Sequence, residues 1–379
     1  MAFIAIVEWF NPGFDTIQIG QTWIEYAPNI NLASYFGLAI FTFFNLMMAW
    51  MIFKKINIKH LVLISLLFVG VNWRNREGIQ KGSKILLVQT NHPPYSKLAK
   101  LHGKDQALKH IEVSISSAVG EITDVNYKLA ILAETTYPLP LNSEQKIFSQ
   151  IKEFSTIKKL LEKNVMVGFG APTEGKHDHF KRYYNSFFVL GPGKDQRYDK
   201  RVLMPLAESP LPLIGENLTN FIMPRGDYTT VGKNVSTLNL VTKEKFLVDI
   251  CFDGIVPYQM RNKILANNKV DFIINVANDS WFNPSSQASA HLWRTRWISA
   301  LYELPTARVS NGGISASIKW DGTIAEYIPN GKTGSKEVQL WHTVKRNSFF
   351  TKWGVFPFIL LSFLMWGIFE IKNRYNKNP

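Results

Sequence analysis

The chain has one cysteine, Cys251, where the apolar run FLVDI (246–250) gives way to a helical pattern, DGIVPYQMRNKILANN. A lone thiol cannot close an internal disulfide, so it is either a small packed hydrophobe or a reactive group. Its junction favours reactivity. The free N–H groups and positive dipole end of a following helix would lower the thiol's pKa and expose it at a sheet's rim. Two other polar residues share this kind of position: Glu134, directly after LAIL and Ala133, and Lys200, closing the hairpin that opens with GPGKD (191–195). Taken singly, a Glu or Lys after a strand is usually a solvated loop residue. Together the three form a set. A thiolate attacking an ester or amide carbonyl needs a base, the role open to Glu134, and a cation for the oxyanion, the role open to Lys200. Cys251 would then carry the acyl group as a thioester.

Such residues must converge at strand ends, and the elements for that are legible. Runs rich in Val, Ile, Leu and Phe occur at 84–90, 129–132, 165–170, 186–190, 246–250 and 271–277, separated by stretches of helical length such as 144–164 and 288–303. This alternation predicts an α/β domain, and the hairpin at 191–195 makes its sheet mixed. In such folds the crevice beyond the strand ends binds ligands.

The ends of the chain are of another kind. Residues 32–53 carry no charge and are followed by Lys54, Lys55 and Lys59. A second apolar run, 61–73, comes next, and a third, 353–370, precedes Lys372, Arg374 and Lys377. These predict transmembrane helices at about 32–53, 58–73 and 353–370, with the basic clusters in the cytoplasm and the segment between on the other side of the membrane. No cleavable signal is expected, because the first residues lack a basic n-region. The predicted organisation is an N-terminal membrane region, 1–79, a catalytic domain, 80–345, and the C-terminal helix. Residues 74–352 carry 37 basic against 25 acidic residues. That charge suits anionic lipid headgroups, whereas nucleic acid is disfavoured because the basic residues are scattered without a recognition motif.

The stretches VQTN (88–91), ILAETTYP (131–138), GFGAPTEG (168–175), YYNSFFVLGPG (183–193), YDKRVLMPLAE (198–208), CFD (251–253), NVANDSWF (275–282) and RVSNGGISA (308–316) follow one another in a family's order. In them the chain resembles the nitrilase, or carbon-nitrogen hydrolase, superfamily, and within it the bacterial apolipoprotein N-acyltransferases. The resemblance covers nearly all of 80–325. It implies an α-β-β-α sandwich with flanking transmembrane helices, in the bacterial inner membrane, with the catalytic domain on the periplasmic face. It carries the catalytic triad onto Glu134, Lys200 and Cys251, and a supporting acid onto Glu208. A second supporting acid falls on Asp253, where these acyltransferases usually have Glu, so the charge is kept and its reach shortened. Trp281 resembles the aromatic residue beside the acyl pocket. The implied partners are a membrane phospholipid as acyl donor and a diacylglyceryl apolipoprotein as acceptor. The alternatives are a membrane-anchored amidohydrolase of the same superfamily and a conjugal-transfer or assembly relative that keeps the fold alone. The family has further helices before the segment matching residues 1–55, which implies a shortened relative, a split protein or a fragment with a late start.

No cofactor or metal is expected. His177 and His179 have metal-like spacing without further ligands nearby, and GFG (168–170) lacks the lysine and hydroxyl residue of a phosphate loop.

Overall fold

A computed structural model of the chain describes all residues outside 6–17, 74–78, 123–124, 176–182, 211–214, 223–228, 283–284, 344–347 and 378–379. His177 and His179 lie outside the described residues. Twelve strands among the described residues form two six-stranded sheets. The first holds β1 (Ile79–Gln89), β2 (Leu129–Ile131), β3 (Met166–Glu174), β4 (Tyr183–Leu190) and β5 (Gln196–Asp199). The second holds β6 (Leu238–Asn239), β7 (Lys245–Ile250), β8 (Phe272–Asn278), β9 (Thr306–Asn311), β10 (Ser315–Ile318) and β11 (Ile324–Ile328). The chain then returns to the first sheet as β12 (Gly334–Thr343), giving the orders β12-β1-β2-β3-β4-β5 and β11-β10-β9-β8-β7-β6. Each sheet has three parallel strands at its heart, β1-β2-β3 and β7-β8-β9, with antiparallel strands on either side.

The strands are apolar on both faces because both faces are covered, and the side-chain period of two divides them between cores. Ile85, Leu87, Leu129 and Ile131 meet Phe246, Val248, Phe272 and Ile274 between the sheets. Leu86, Val88, Ala130 and Leu132 face outward, where helices cover them. In chain order the helices among the described residues are α1 (Ala33–Phe36), α2 (Ala39–Phe53), α3 (Ile58–Asn72), α4 (Tyr95–His102), α5 (Lys104–Val119), α6 (Ile147–Gln150), α7 (Ser155–Glu162), α8 (Gly215–Ile222), α9 (Pro257–Leu265), α10 (Gln287–Tyr302), α11 (Phe349–Trp353) and α12 (Phe356–Lys377). Helices α4 to α7 bury Leu98, Ile111, Ile147 and Ile157 on the first sheet. Helices α9 and α10 bury Met260, Ile264 and Leu301 against Leu247 and Ile273 of the second. The result is an α-β-β-α sandwich.

The apolar ends pack outside the second helical layer. Phe41 of α2 lies 5.3 Å from the Trp297 ring of α10, and Phe44 stacks on Phe68 of α3 at 3.9 Å. Here the structure departs from the sequence reading. No helix among the described residues is long and apolar enough to cross a membrane. The expected span 32–53 breaks at Gly37, whose φ of 73° ends α1. The fifteen residues left to α2, and the fifteen of α3, each rise only about 22 Å against a hydrocarbon core of about 30 Å. The expected span 353–370 divides at Gly354, and within α12 the uncharged stretch ends at Glu370.

Candidate active site

Glu134, Lys200 and Cys251 come from three strand ends in two different sheets. Glu134 sits beyond β2, where Gly170 of β3 lets the backbone come close: a Cβ there would lie 2.5 Å from the Thr135 nitrogen. Its Oε1 accepts from Asn185 Nδ2 at 2.8 Å and its Oε2 from the Asn278 N–H at 2.9 Å. Lys200 directly follows β5, with its N–H donating to the Asn185 carbonyl and its own carbonyl accepting from Gly232. Its Nζ is fully buried, 3.6 Å from Glu134 Oε1 and 2.8 Å from Glu208 Oε2. Glu208 is fixed in turn by the Met204 N–H at 2.8 Å and by Asn185 Nδ2 at 3.1 Å. The Asn185 amide therefore ties the two carboxylates on either side of one ammonium.

Cys251 opens a 3-10 turn, Cys251–Ile255, at a φ of 48°. Left-handed backbone is uncommon for a residue with a Cβ and is held by its surroundings. Asp253 supplies much of that hold. It accepts the Tyr198 hydroxyl at 2.5 Å and the N–H groups of Val202 at 2.6 Å and Arg201 at 3.2 Å, so the cysteine turn is stitched to the loop after Lys200. Trp281 lies in the turn after β8, Asp279–Phe282, with 62% of its surface exposed.

Burial dominates the electrostatics. It raises the Glu134 pKa, with the Lys200 charge opposing. Burial alone would depress Lys200, yet the charges of Glu208 and Glu134 hold it above the ordinary lysine range. The Cys251 thiol is pushed up by burial and by the Glu134 charge, against the pull of Lys200. This overturns the expectation of a thiol acidified at a helix N-terminus. The 3-10 turn separates Cys251 from α9, so the helix dipole is not what activates it.

Sequence reasoning missed several site residues. Asn185 and Asp279 stand inside quoted motifs, but nothing in a motif tells which polar side chains turn inward. Asp279, the residue after β8, is buried and holds His291 Nδ1 at 2.6 Å, Arg308 at 2.9 Å and Ser310 Oγ at 2.7 Å. Burial opposes its ionisation, but Arg308 and His291 hold its pKa at about 2.

The two sheets with their outer helices and this set of strand-end residues define the class. The chain belongs to the carbon-nitrogen hydrolase family, whose profile matches residues 87–340. Among individual proteins it is similar to the apolipoprotein N-acyltransferase of Haemophilus ducreyi, at 24% identity over 97% of this chain and 73% of that protein. The Geobacter metallireducens protein of the same name is 25% identical over 84% of this chain, and that of Haemophilus influenzae 25% over 85%. The chain spans 62% and 63% of the length of those two relatives. Of solved structures, Nit3 of Saccharomyces cerevisiae, a member of the nitrilase superfamily, aligns over 70% of this chain and 92% of its own, at 16% identity and a TM-score of 0.45. A CN-hydrolase superfamily protein of Xanthomonas campestris aligns over 69% and 90%, at 17% identity and the same TM-score.

Proposed function

We propose that the protein is a lipoprotein N-acyltransferase that moves an acyl chain from a phospholipid, through a thioester on Cys251, to the α-amine of an S-diacylglyceryl N-terminal cysteine. The observation that carries this reading is the buried Lys200 ammonium held between Glu134 and Glu208 and felt electrostatically by Cys251. Glu134 takes the thiol proton as the thiolate attacks the ester carbonyl, and Lys200 stabilises the oxyanion. Collapse of the tetrahedral adduct breaks the ester C–O bond. The departing lysophospholipid oxygen receives the proton from Glu134. The lipoprotein amine then attacks the thioester and gives its proton to Glu134, which returns it to the leaving thiolate. Glu208 keeps Lys200 in place, and Trp281 serves as an apolar wall for the acyl chain.

Both substrates live in a bilayer, and the protein offers it an apolar flank. Leu63, Leu66 and Leu67 of α3 and Phe363, Trp366 and Ile368 of α12 are each more than half exposed, a patch that water disfavours and lipid accepts. We place the protein at the bacterial inner membrane through these faces, with the catalytic domain on the outer side, where confinement raises the effective substrate concentration.

Purified protein incubated with phospholipid should gain one acyl mass on Cys251, and an S-diacylglyceryl-cysteine peptide should remove it and leave as an N-acyl product. Absence of the acyl increment defeats the thioester mechanism. An increment that water clears while the peptide stays unacylated would make the protein an amidohydrolase-type enzyme instead.

A further inference from the structure

Beneath the cysteine turn lies a second fully buried lysine that the chemistry above does not use. Lys263 of α9 places its Nζ 2.8 Å from Asp249 Oδ1, 3.5 Å from Asp253 Oδ2 and 2.9 Å from the Val248 carbonyl. It also stands 4.5 Å from the centre of the Tyr198 ring. Asp249 comes two residues before Cys251 and Asp253 two after it. One ammonium therefore grips both arms of the strained turn.

We propose that Lys263 is a positioning residue for the acyl-transfer site, holding the Cys251 turn in register with the Lys200 loop through Asp253. The proposal rests on the reading of Cys251 and Lys200 given above. Asp249 and Asp253 are both buried, and two carboxylates in a dry site repel unless a cation lies between them. The titratable or charged residues besides Lys263 that face Asp253 are Asp249 from β7, Tyr198 from β5 through its hydroxyl, and Arg201, which donates its backbone N–H and whose charge is felt by Tyr198. Burial already raises the Asp249 pKa, the Asp253 charge adds to this, and Lys263 opposes both. With Lys263 gone, one of the two carboxylates takes up a proton. If Asp253 holds it, the acceptor set for Tyr198, Arg201 and Val202 is disrupted and the turn loosens.

The test uses the full chain as wild type, Lys263→Met, Lys263→Gln and the double variant Asp249→Asn/Lys263→Met. Two rates are followed against pH: Cys251 acylation by phospholipid vesicles and Cys251 alkylation by iodoacetamide. Relative to wild type, Lys263→Met should slow acylation by about 10-fold or more near pH 6 and recover toward pH 9 as the shared proton leaves. The double variant, with one carboxylate left, should lie within about 3-fold of wild type across that range. A slowing by the same factor at every pH that the double variant does not relieve would assign Lys263 to packing alone and overturn the proposal. Should Lys263→Met not fold, Lys263→Gln, which keeps a hydrogen-bond donor on the side chain and removes the charge, should show the same pH-dependent loss. A Gln variant with the wild-type profile would also overturn it. If wild type itself gains no acyl group, the acyltransferase reading fails, while the pH profile of alkylation still reports on the turn.

Discussion

Glu134 and Lys200 are dry and paired, and the proposed chemistry rests on both properties. A buried carboxylate with a raised pKa is a stronger base than one in water, and it must be ionised to accept the thiol proton. Burial is what raises Glu134, so the acid limb of the rate profile should lie above the ordinary carboxylate range, with activity lost as pH falls through it and Glu134 takes up a proton. Glu134→Gln should cut kcat by about 10²- to 10⁴-fold and erase that limb, as a pH series on acyl-enzyme formation would reveal. Cys251→Ser should abolish acyl capture, because a serine hydroxyl here has no reactive anion near neutral pH. Asp279 is the opposite case, a carboxylate held at about 2 by Arg308 and His291 against burial. Its folded pKa lies below its unfolded value, so its contribution is present above about pH 4 and is lost as pH falls toward about 2, in all about 2 kcal/mol. Acid unfolding followed by tryptophan fluorescence should therefore show a shallower dependence over that window in Asp279→Asn, together with a lower stability at neutral pH.

Elements bring these residues within reach of one another, and close backbone approach is part of how they do so. At Gly170 a methyl group would collide with the backbone of Glu134 and Thr135. Gly170→Ala should cost about 1–3 kcal/mol through overpacking, read as a lower Tm, and should displace Glu134 enough to slow acylation further than the stability loss explains. Strands β2 and β7, which precede Glu134 and Cys251, were legible because each is a short, nearly continuous apolar run, whereas β5, the polar QRYD before Lys200, was legible only as the second arm of a hairpin. The expected hairpin at 191–195 is present between β4 and β5. Strands β9 to β12 were not read as strands, and β11 shows why. It is only partly buried at the sheet's edge, so its sequence lacks the apolar density of the centre. The stretch 144–164, read as helical, is two helices because Ile151 and Phe154 between α6 and α7 turn into the core.

At the scale of the whole molecule the proposed membrane role asks how a basic domain would meet lipid. The cores run in order from the α4–α7 layer through the two sheets to α9 and α10 and on to the apolar ends. Arg296 helps to fasten those ends, donating to Glu25 at 2.8 Å and to the Ile24 carbonyl at 2.6 Å. Lipid association should depend on the exposed leucines beyond. Replacing Leu63, Leu66 and Leu67 together by Ser removes several kcal/mol of apolar burial, at about 1.5–3 kcal/mol per leucine. The variant should shift from the floating to the bottom fraction when mixed with phospholipid vesicles and spun through a sucrose gradient, whereas Cys251→Ser should float like wild type. The apolarity of these segments was plain in the sequence. Their division at Gly37 and Gly354 was not, because a glycine in an apolar run looks the same whether it continues a helix or ends one.

Local order is what the sequence settled by itself. Apolar period, turn residues and motif sequence determined an α/β chain with a mixed sheet, and they marked Glu134, Lys200 and Cys251 as polar residues at strand ends, because those signals depend on near neighbours along the chain. Tertiary structure alone decided what surrounds each of them. Desolvation and charge pairing arise between residues far apart in sequence: Glu134 with Asn278, Asp253 with Val202, Lys263 with Asp249. For that reason the sequence could suggest an acidified thiol at a helix end, while the fold raises the Cys251 pKa through desolvation and the charge of the buried Glu134 carboxylate.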